Sequence, residues 1–402
     1  MWRNRNVWLI LTGELVAGLG LWLGVIGNLE FLQRHVSSDF LKSLILFTGL
    51  LAGVMVGPMA GKVIDRYRKK TVLLYAGFFR MISVVLMMVA LHFSSIGWMI
   101  GFMVAIQVSA SFYFPALQAA IPLIVKEKDL LAMNGVHMNV STMARILGTA
   151  LGGALLVVMS LRSLYVFSMI AYGFLFLSTF FLQIHEEAKQ ENSKQRPAAS
   201  FKEIIPILKQ HELVKITLIL SIVPTLFLGG FNLMIMNVSK LQHDPTIKGI
   251  LYTVEGTCFM IGAFIVKRLA AKWDLRKMMY AFSLFIAVAH LSLYFANIKI
   301  TSMLSFAMFG LGVGCFFPIT ATIFQTNVSK EYHGRFFSFK NMFDRMMFQI
   351  VLLGTGLLLD TIGLSHMVIV FGTISCVLIL YFFTKEIKRQ SYFRNQDQDS
   401  SA

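Results

Sequence analysis

The run Ile362-Gly-Leu-Ser-His-Met-Val-Ile-Val-Phe-Gly-Thr-Ile-Ser-Cys-Val-Leu-Ile-Leu-Tyr-Phe-Phe383 contains no Asp, Glu, Lys or Arg and is bounded by Asp360 and Lys385. As a helix rising 1.5 Å per residue it is about 33 Å long, enough to cross a hydrocarbon core about 30 Å thick. Working back toward the N-terminus, similar runs recur with short polar breaks. The spans read from them are 7–29, 40–60, 71–92, 98–122, 135–159, 163–184, 215–237, 248–267, 277–296, 301–325, 337–359 and 363–384. The reading is an all-α membrane protein with twelve transmembrane helices.

Composition points the same way. The 402 residues are 56% hydrophobic and 14% charged, with a mean hydropathy of +0.70, whereas soluble domains are about half apolar and a quarter charged. The alternating pattern of barrel strands is absent from these runs. Arg3 and Arg5 precede an apolar stretch in the manner of a secretory signal. No small-residue cleavage site follows, so that stretch is read as the first span. Cys258, Cys315 and Cys376 all fall inside apolar runs without metal-ligand spacing and are read as packing residues.

A net charge of +16 raises the question of nucleic acid, and the placement of the cations answers it. Lys62, Arg66, Arg68, Lys69, Lys70, Lys267, Arg268, Lys272, Arg276, Lys277, Lys385, Lys388 and Arg389 lie in alternate breaks or the tail. The opposite breaks hold only Arg34, Lys42, Arg162, Lys240, Lys248 and Lys299. That bias is the positive-inside pattern, so both termini are expected in the cytoplasm of a bacterial-type cell membrane and nucleic acid is not an expected partner.

The longest polar break, His185 to Lys215, separates two sets of six spans. The expected organisation is a bundle over 1–184, a cytoplasmic linker over 185–214 with a short amphipathic helix near Phe201 to Leu208, a second bundle over 215–385 and a tail over 386–402. Basic loops after spans 2 and 8, following Gly61 and Gly262, echo each other. Two pseudo-symmetric six-helix bundles are the expected architecture.

The loop Gly61-Lys62-Val63-Ile64-Asp65-Arg66-Tyr67-Arg68-Lys69-Lys70 resembles the G-x-x-x-D-R-x-G-R-R/K loop of the major facilitator superfamily, with Arg68 where the family usually has glycine. The chemistry of such a loop is readable: Gly61 allows close backbone approach, Asp65 can accept from orphan N–H groups at a helix N-terminus, and the cations attract an anionic leaflet. The resemblance implies a gating role for Gly61, Asp65, Arg66 and Lys69, the aspartate latching the bundles beside helix 11. Pro115-Ala-Leu-Gln118-Ala-Ala-Ile-Pro122 through Asn134, then Gly148-Thr-Ala-Leu-Gly152-Gly153, then Gly334-Arg-Phe-Phe-Ser338, look like the branch containing macrolide-efflux and enterobactin-export proteins. The span 5 segment is similar to the antiporter motif G-x-x-x-G-P-x-x-G-G, with Ala144 for the first glycine and Thr149 for the proline. Span 4 lacks the membrane arginine found in many drug/proton antiporters.

Charges inside spans need a partner, a wet cavity or a function. Glu14, in a helix that lines the central cavity of this superfamily, is expected to be a coupling or substrate-binding acid. Arg145 and Glu255 fall near mid-depth of spans 5 and 8, which the resemblance sets face to face, and are candidates for a state-dependent ion pair. Asp344 and Arg345 point about 100° apart on their helix, and Asp344 is the candidate to face an interface. Arg80 is expected to be structural. The helices that line the cavity in this superfamily supply Gln107, Gln118 and Asn232, with Trp22, Phe112, Tyr113, Phe114, Phe227, Phe309, Phe316 and Phe317 as an aromatic wall. Pro115, Pro122, Pro224 and Pro318 are expected to mark kinks.

The expected function is secondary active export of an amphipathic small molecule, driven by proton exchange, by a monomer with membrane lipids and substrate as partners. Import of a nutrient, or movement of a lipid or siderophore, is the nearest alternative, and a membrane sensor of the same fold is the alternative outside transport. No GxxxxGK[ST] loop indicates ATP use and no HExxH or clustered histidine indicates a metal, His92 and His290 being isolated. Neither an enzyme nor a cofactor is expected, the proton gradient supplying the energy.

Overall fold

The computed structural model describes the backbone of residues 2–126, 129–184, 208, 211–329 and 333–399, with the side chains of 65, 130–132, 134–135, 333–335, 338 and 387–399 outside that description. The expectations for the Asp65 side chain, for Asn134, Gly334, Arg335 and Ser338, and for the linker helix apart from Leu208 therefore lie outside the described residues.

Six helices come first: α1 (Arg5–His35), α2 (Asp39–Arg66), α3 (Lys69–Phe93), α4 (Ile96–Ile124), α5 (Leu130–Val158) and α6 (Leu161–Phe180). After the linker, α7 spans Glu212–Leu241 as two pieces, Glu212–Leu220 and Ile222–Leu241, that meet at Ser221. Pro224 lies one turn beyond that junction and has no N–H to return to Leu220, which accounts for the interruption. Then follow α8 (Ile247–Ala270), α9 (Leu275–Ser292) with a 3-10 turn at Leu293–Phe295, α10 (Lys299–Asn327) and α11 (His333–Asp399). No strand occurs among the described residues.

Eleven of these stretches are long and apolar enough to cross a membrane, and the last is double. Its apolar part, Phe339–Glu386, has 48 residues. A single rod of that length would be about 72 Å, more than twice a hydrocarbon core. Gly363 divides it with φ 73° and ψ 175°, a conformation that side chains with a Cβ avoid. The break falls where the sequence separates its spans 11 and 12.

Short breaks between spans carry the caps. Asn4 accepts from Asn6 N, Ser38 from Leu41 N, Ser160 from Ser163 N, and Asp274 from both Arg276 N and Lys277 N. Each satisfies orphan donors at a helix start. Most helices run a few residues past the apolar runs that announced them, α1 to His35 and α2 to Arg66.

The chain separates into two units, Met1–Lys194 with His243–Thr253, and Gln195–Gln242 with Val254–Ala402. Within the first, α1 packs on α5 and α6, and α4 packs on α2 and α3. Within the second, α9 packs on α10 and α11, and α7 packs on α11. The start of α8 belongs to the first unit and its remainder to the second.

Small residues permit these approaches. A Cβ on Gly148 would lie 3.0 Å from Leu19 O, and one on Gly153 only 2.8 Å from Gly249 Cα. The span 5 glycines thus seat α5 against α1 and the first turn of α8. In the second unit, a Cβ on Gly310 or Gly314 would collide with the carbonyl oxygen of Glu255 or Phe259, which locks α10 to α8. Gly61 behaves otherwise, since a Cβ there would meet nothing within 4 Å among the described residues.

Gly153→Leu is expected to lower the melting temperature of the detergent-purified protein by several degrees, in keeping with about 1–3 kcal/mol for overpacking. Gly61→Ala should leave it unchanged or slightly higher. A Gly153→Leu protein as heat-stable as the parent would contradict the contact with Gly249.

Candidate functional site

Inside the first unit four helices bring polar groups to one point. Glu14 projects from α1 and is 7% exposed. Tyr113 of α4 donates its hydroxyl to Glu14 Oε1 at 2.6 Å. His137 of α5 places Nε2 at 3.5 Å from Glu14 Oε2, an ion-pair distance when the ring is protonated. Arg80 of α3, 4% exposed, lays its guanidinium over the Tyr113 ring at 4.4 Å, with Phe114 at 5.1 Å and Tyr172 of α6 at 5.9 Å.

The energetics of this cluster are those of charges without water. A guanidinium among three aromatic faces gains about 2 kcal/mol from a desolvated ring contact, far less than full hydration. Arg80 Nε and His137 Nε2 are both buried without a hydrogen bond. Glu14 is a neighbouring source of negative charge, reached through the phenol of Tyr113. The His137 side chain is 19% exposed, the most exposed of Glu14, Tyr113, Arg80 and His137. The cluster can hold a proton on the carboxylate or the imidazole, and the two lie close enough to exchange it through a small motion or one water.

The sequence expectations meet this geometry unevenly. Glu14, the expected coupling or substrate-binding acid, lies at the centre of this cluster, buried inside the first unit. Arg80, placed on a peripheral helix, turns inward and is part of the same cluster. Tyr113, expected on an aromatic cavity wall, is instead buried and spends its hydroxyl on Glu14. His137 was not singled out. The available signal is a histidine in an apolar span, about three turns before Gly148 of α5.

Lys69 is buried and donates to Ile64 O at 2.7 Å and Tyr67 O at 3.3 Å, closing the α2–α3 turn; Arg66 is exposed with its guanidinium 5.9 Å from the Tyr67 ring. Asp344 pairs with Lys340 one turn back on its own helix and is 37% exposed. Gln118 is exposed, Gln107 and Asn232 are half-buried. Arg145 lies in the first unit and the buried Glu255 in the second. Phe227, Phe309 and Phe316 are fully buried, and Phe227 stacks on Phe309 at 3.8 Å. That makes them core of the second unit rather than cavity wall. His290 sits beside Phe227 at 5.0 Å, buried, with neither ring nitrogen hydrogen-bonded.

One further charged group escaped the sequence reading. Lys248, at the start of α8, is fully buried and donates to Glu30 Oε2 at 2.7 Å, while Arg34 Nε donates to Glu30 Oε1 at 2.7 Å. Glu30 lay one residue beyond the expected end of span 1, and Lys248 was counted as a loop cation. The spacing of Glu30 and Arg34, four apart, was the available signal. Among the described residues no group of three His, Cys, Asp or Glu side chains could hold a metal ion.

Comparison with known proteins places the architecture. A sequence model of the Major Facilitator Superfamily matches residues 10–242 and 234–400. The chain is 24% identical over 402 aligned residues to the uncharacterized MFS-type transporter YfiS of Bacillus subtilis (strain 168), covering 94% of this chain and 92% of that one. It is 22% identical over 373 residues to macrolide efflux protein A of Streptococcus pyogenes, covering 89% and 91%. Among solved structures, nucleoside transporter NupG superposes with a TM-score of 0.71 at 16% identity, over 94% of this chain and 98% of that one. A bacterial homologue of the iron transporter ferroportin, in its inward-facing state, does so with a TM-score of 0.71 at 14% identity, over 94% and 98%.

Glu30→Gln leaves the Lys248 ammonium buried without its counter-charge and should cost about 3–5 kcal/mol of stability. The double variant Glu30→Leu with Lys248→Met should recover most of that loss, since an apolar pair of similar size needs no solvation. Thermal unfolding in detergent compares the three proteins. Equal melting temperatures for the single and double variants would speak against a buried pair.

Proposed function

The chain belongs to the major facilitator superfamily, and on that premise we propose that this multi-pass membrane transporter exports an amphipathic small molecule in exchange for protons, by alternating access. The observation that carries the proton half of the reading is the buried Glu14 carboxylate, held by Tyr113 at 2.6 Å and faced by His137 at 3.5 Å. A carboxylate so placed beside an imidazole has two occupancies, ionised or neutral, that differ by one proton. Arg80 supplies a fixed positive charge one ring away. Binding or release of one proton therefore changes the charge of the cluster, and a change of charge in a low-dielectric interior is what can bias one conformation over another.

The direction of transport and the kind of substrate rest on different support. Macrolide efflux protein A aligns along most of both chains, which favours export of a bulky, largely apolar compound. The positive-inside bias of the loops supports a bacterial cytoplasmic membrane with both termini inside. Gly61, Asp65, Arg66 and Lys69 are assigned the cytoplasmic gate by their motif.

A macrolide is the probe for the test. Cells expressing the parent protein should accumulate several-fold less of it than cells without, and a protonophore should abolish the difference. Glu14→Gln should remove proton-driven efflux while leaving macrolide binding in detergent intact. His137→Asn should move the pH profile of transport rather than eliminate it. Efflux that persists at the parent rate in Glu14→Gln would remove this residue from the coupling.

A further inference from the structure

A second site lies on the first unit, lined by other residues than the Glu14 cluster, although Phe79 and Phe112 directly precede Arg80 and Tyr113 in the chain. The C-terminal end of α2, the first turns of α3 and the middle of α4 enclose a cavity of about 530 Å³, lined by Val63, Tyr67, Val72, Tyr75, Phe79 and Phe112 with few polar atoms. Beyond their connecting turn α2 and α3 touch sparsely, so the space stays unfilled among the described residues. The lining hydroxyl of Ser109 is already committed to Ala76 O at 2.7 Å. A water-soluble ligand would find almost nothing to bind there.

The chemistry changes at one end. Tyr67, itself part of the lining, sits in the α2–α3 turn between Arg66 and Arg68, and all three are exposed. Lys69 ties that turn together through Ile64 O and Tyr67 O, so the turn is a held structure rather than a loose loop. An apolar chamber whose rim is aromatic and doubly cationic fits an amphiphile with an apolar tail and an anionic head. Clusters of arginine and lysine at the end of a membrane helix attract anionic lipid in this manner, and the tail gains by leaving no empty space. A cationic amphiphile would be repelled at the rim.

We propose that this cavity is a binding site for an anionic phospholipid, one acyl chain filling the space between α2, α3 and α4 and the phosphate lying on Arg66 and Arg68. The site shares no lining residue with the proton cluster and does not depend on what the protein transports.

Native mass spectrometry of the full chain, after equilibration in micelles with equal amounts of phosphatidylglycerol and phosphatidylcholine of identical tails, tests the assignment. The parent protein should retain phosphatidylglycerol in preference by about ten-fold or more at low ionic strength, given two cations near the head group. Arg66→Gln with Arg68→Gln, both surface changes, should abolish the preference while leaving some lipid of either kind bound. Thr71→Trp, at a half-buried lining position, should reduce retention of both lipids because the indole fills the chamber. Size-exclusion profiles matching the parent establish that each variant is folded. Equal retention of the two lipids by the parent, or phosphatidylglycerol retention that neither variant changes, would overturn the proposal and mark the bound lipid as an unselective shell.

Discussion

A hydrocarbon interior gives an ionised side chain nothing to bind, so each buried charge in this chain has to be met by another part of the same chain. Glu14 and Arg80 are met across α1, α3 and α4, with Tyr113 as the shared neighbour of both. Glu30 and Lys248 are met across α1 and the start of α8. These contacts fix which helix faces turn inward more sharply than apolar residues do, because a leucine is equally content against lipid or against another leucine. Rotating α3 to present Arg80 outward would strand a guanidinium in lipid, whereas rotating a Leu or Phe costs little.

Close packing then has to be achieved without a hydrophobic drive between helices, and small residues do it. Gly148 and Gly153 on α5, and Gly310 and Gly314 on α10, stand where any Cβ would meet a backbone atom of the neighbouring helix. The same device occurs in both units. Dispersion contacts summed along such seams replace the solvent-driven term that holds a soluble core.

The membrane spans are legible in the sequence because twenty apolar residues in a row have few other uses, and the glycine seam of α5 is legible because its motif is dense. What resisted reading was polar. Span 1 was ended at residue 29 where the apolar run stops, yet α1 continues to His35, and the added turns carry Glu30 and Arg34. Helices here extend through polar residues that find partners, and partners are tertiary facts. Arg80 and Tyr113 show the same limit. Their residue types were visible, but an inward or outward direction depends on the neighbours of α3 and α4, which no local pattern contains. Gly61 illustrates the converse: a motif glycine with open space around it among the described residues, so that its identity is not explained by packing.

The inclusion of His243–Thr253 in the first unit bears on how the chain is made. Glu30 and Lys248 are 218 residues apart, and at a synthesis rate of about 5–20 residues per second the lysine follows the glutamate by roughly 10–40 s. Through that interval the nascent first bundle is threaded into lipid with Glu30 lacking its Lys248 partner and the groove beside Gly153 empty. Its assembly therefore stays open until ribosome and insertion machinery have delivered the beginning of the eighth helix. A transcript truncated at the linker would yield a half-transporter missing its last structural piece, a ready target for membrane proteases.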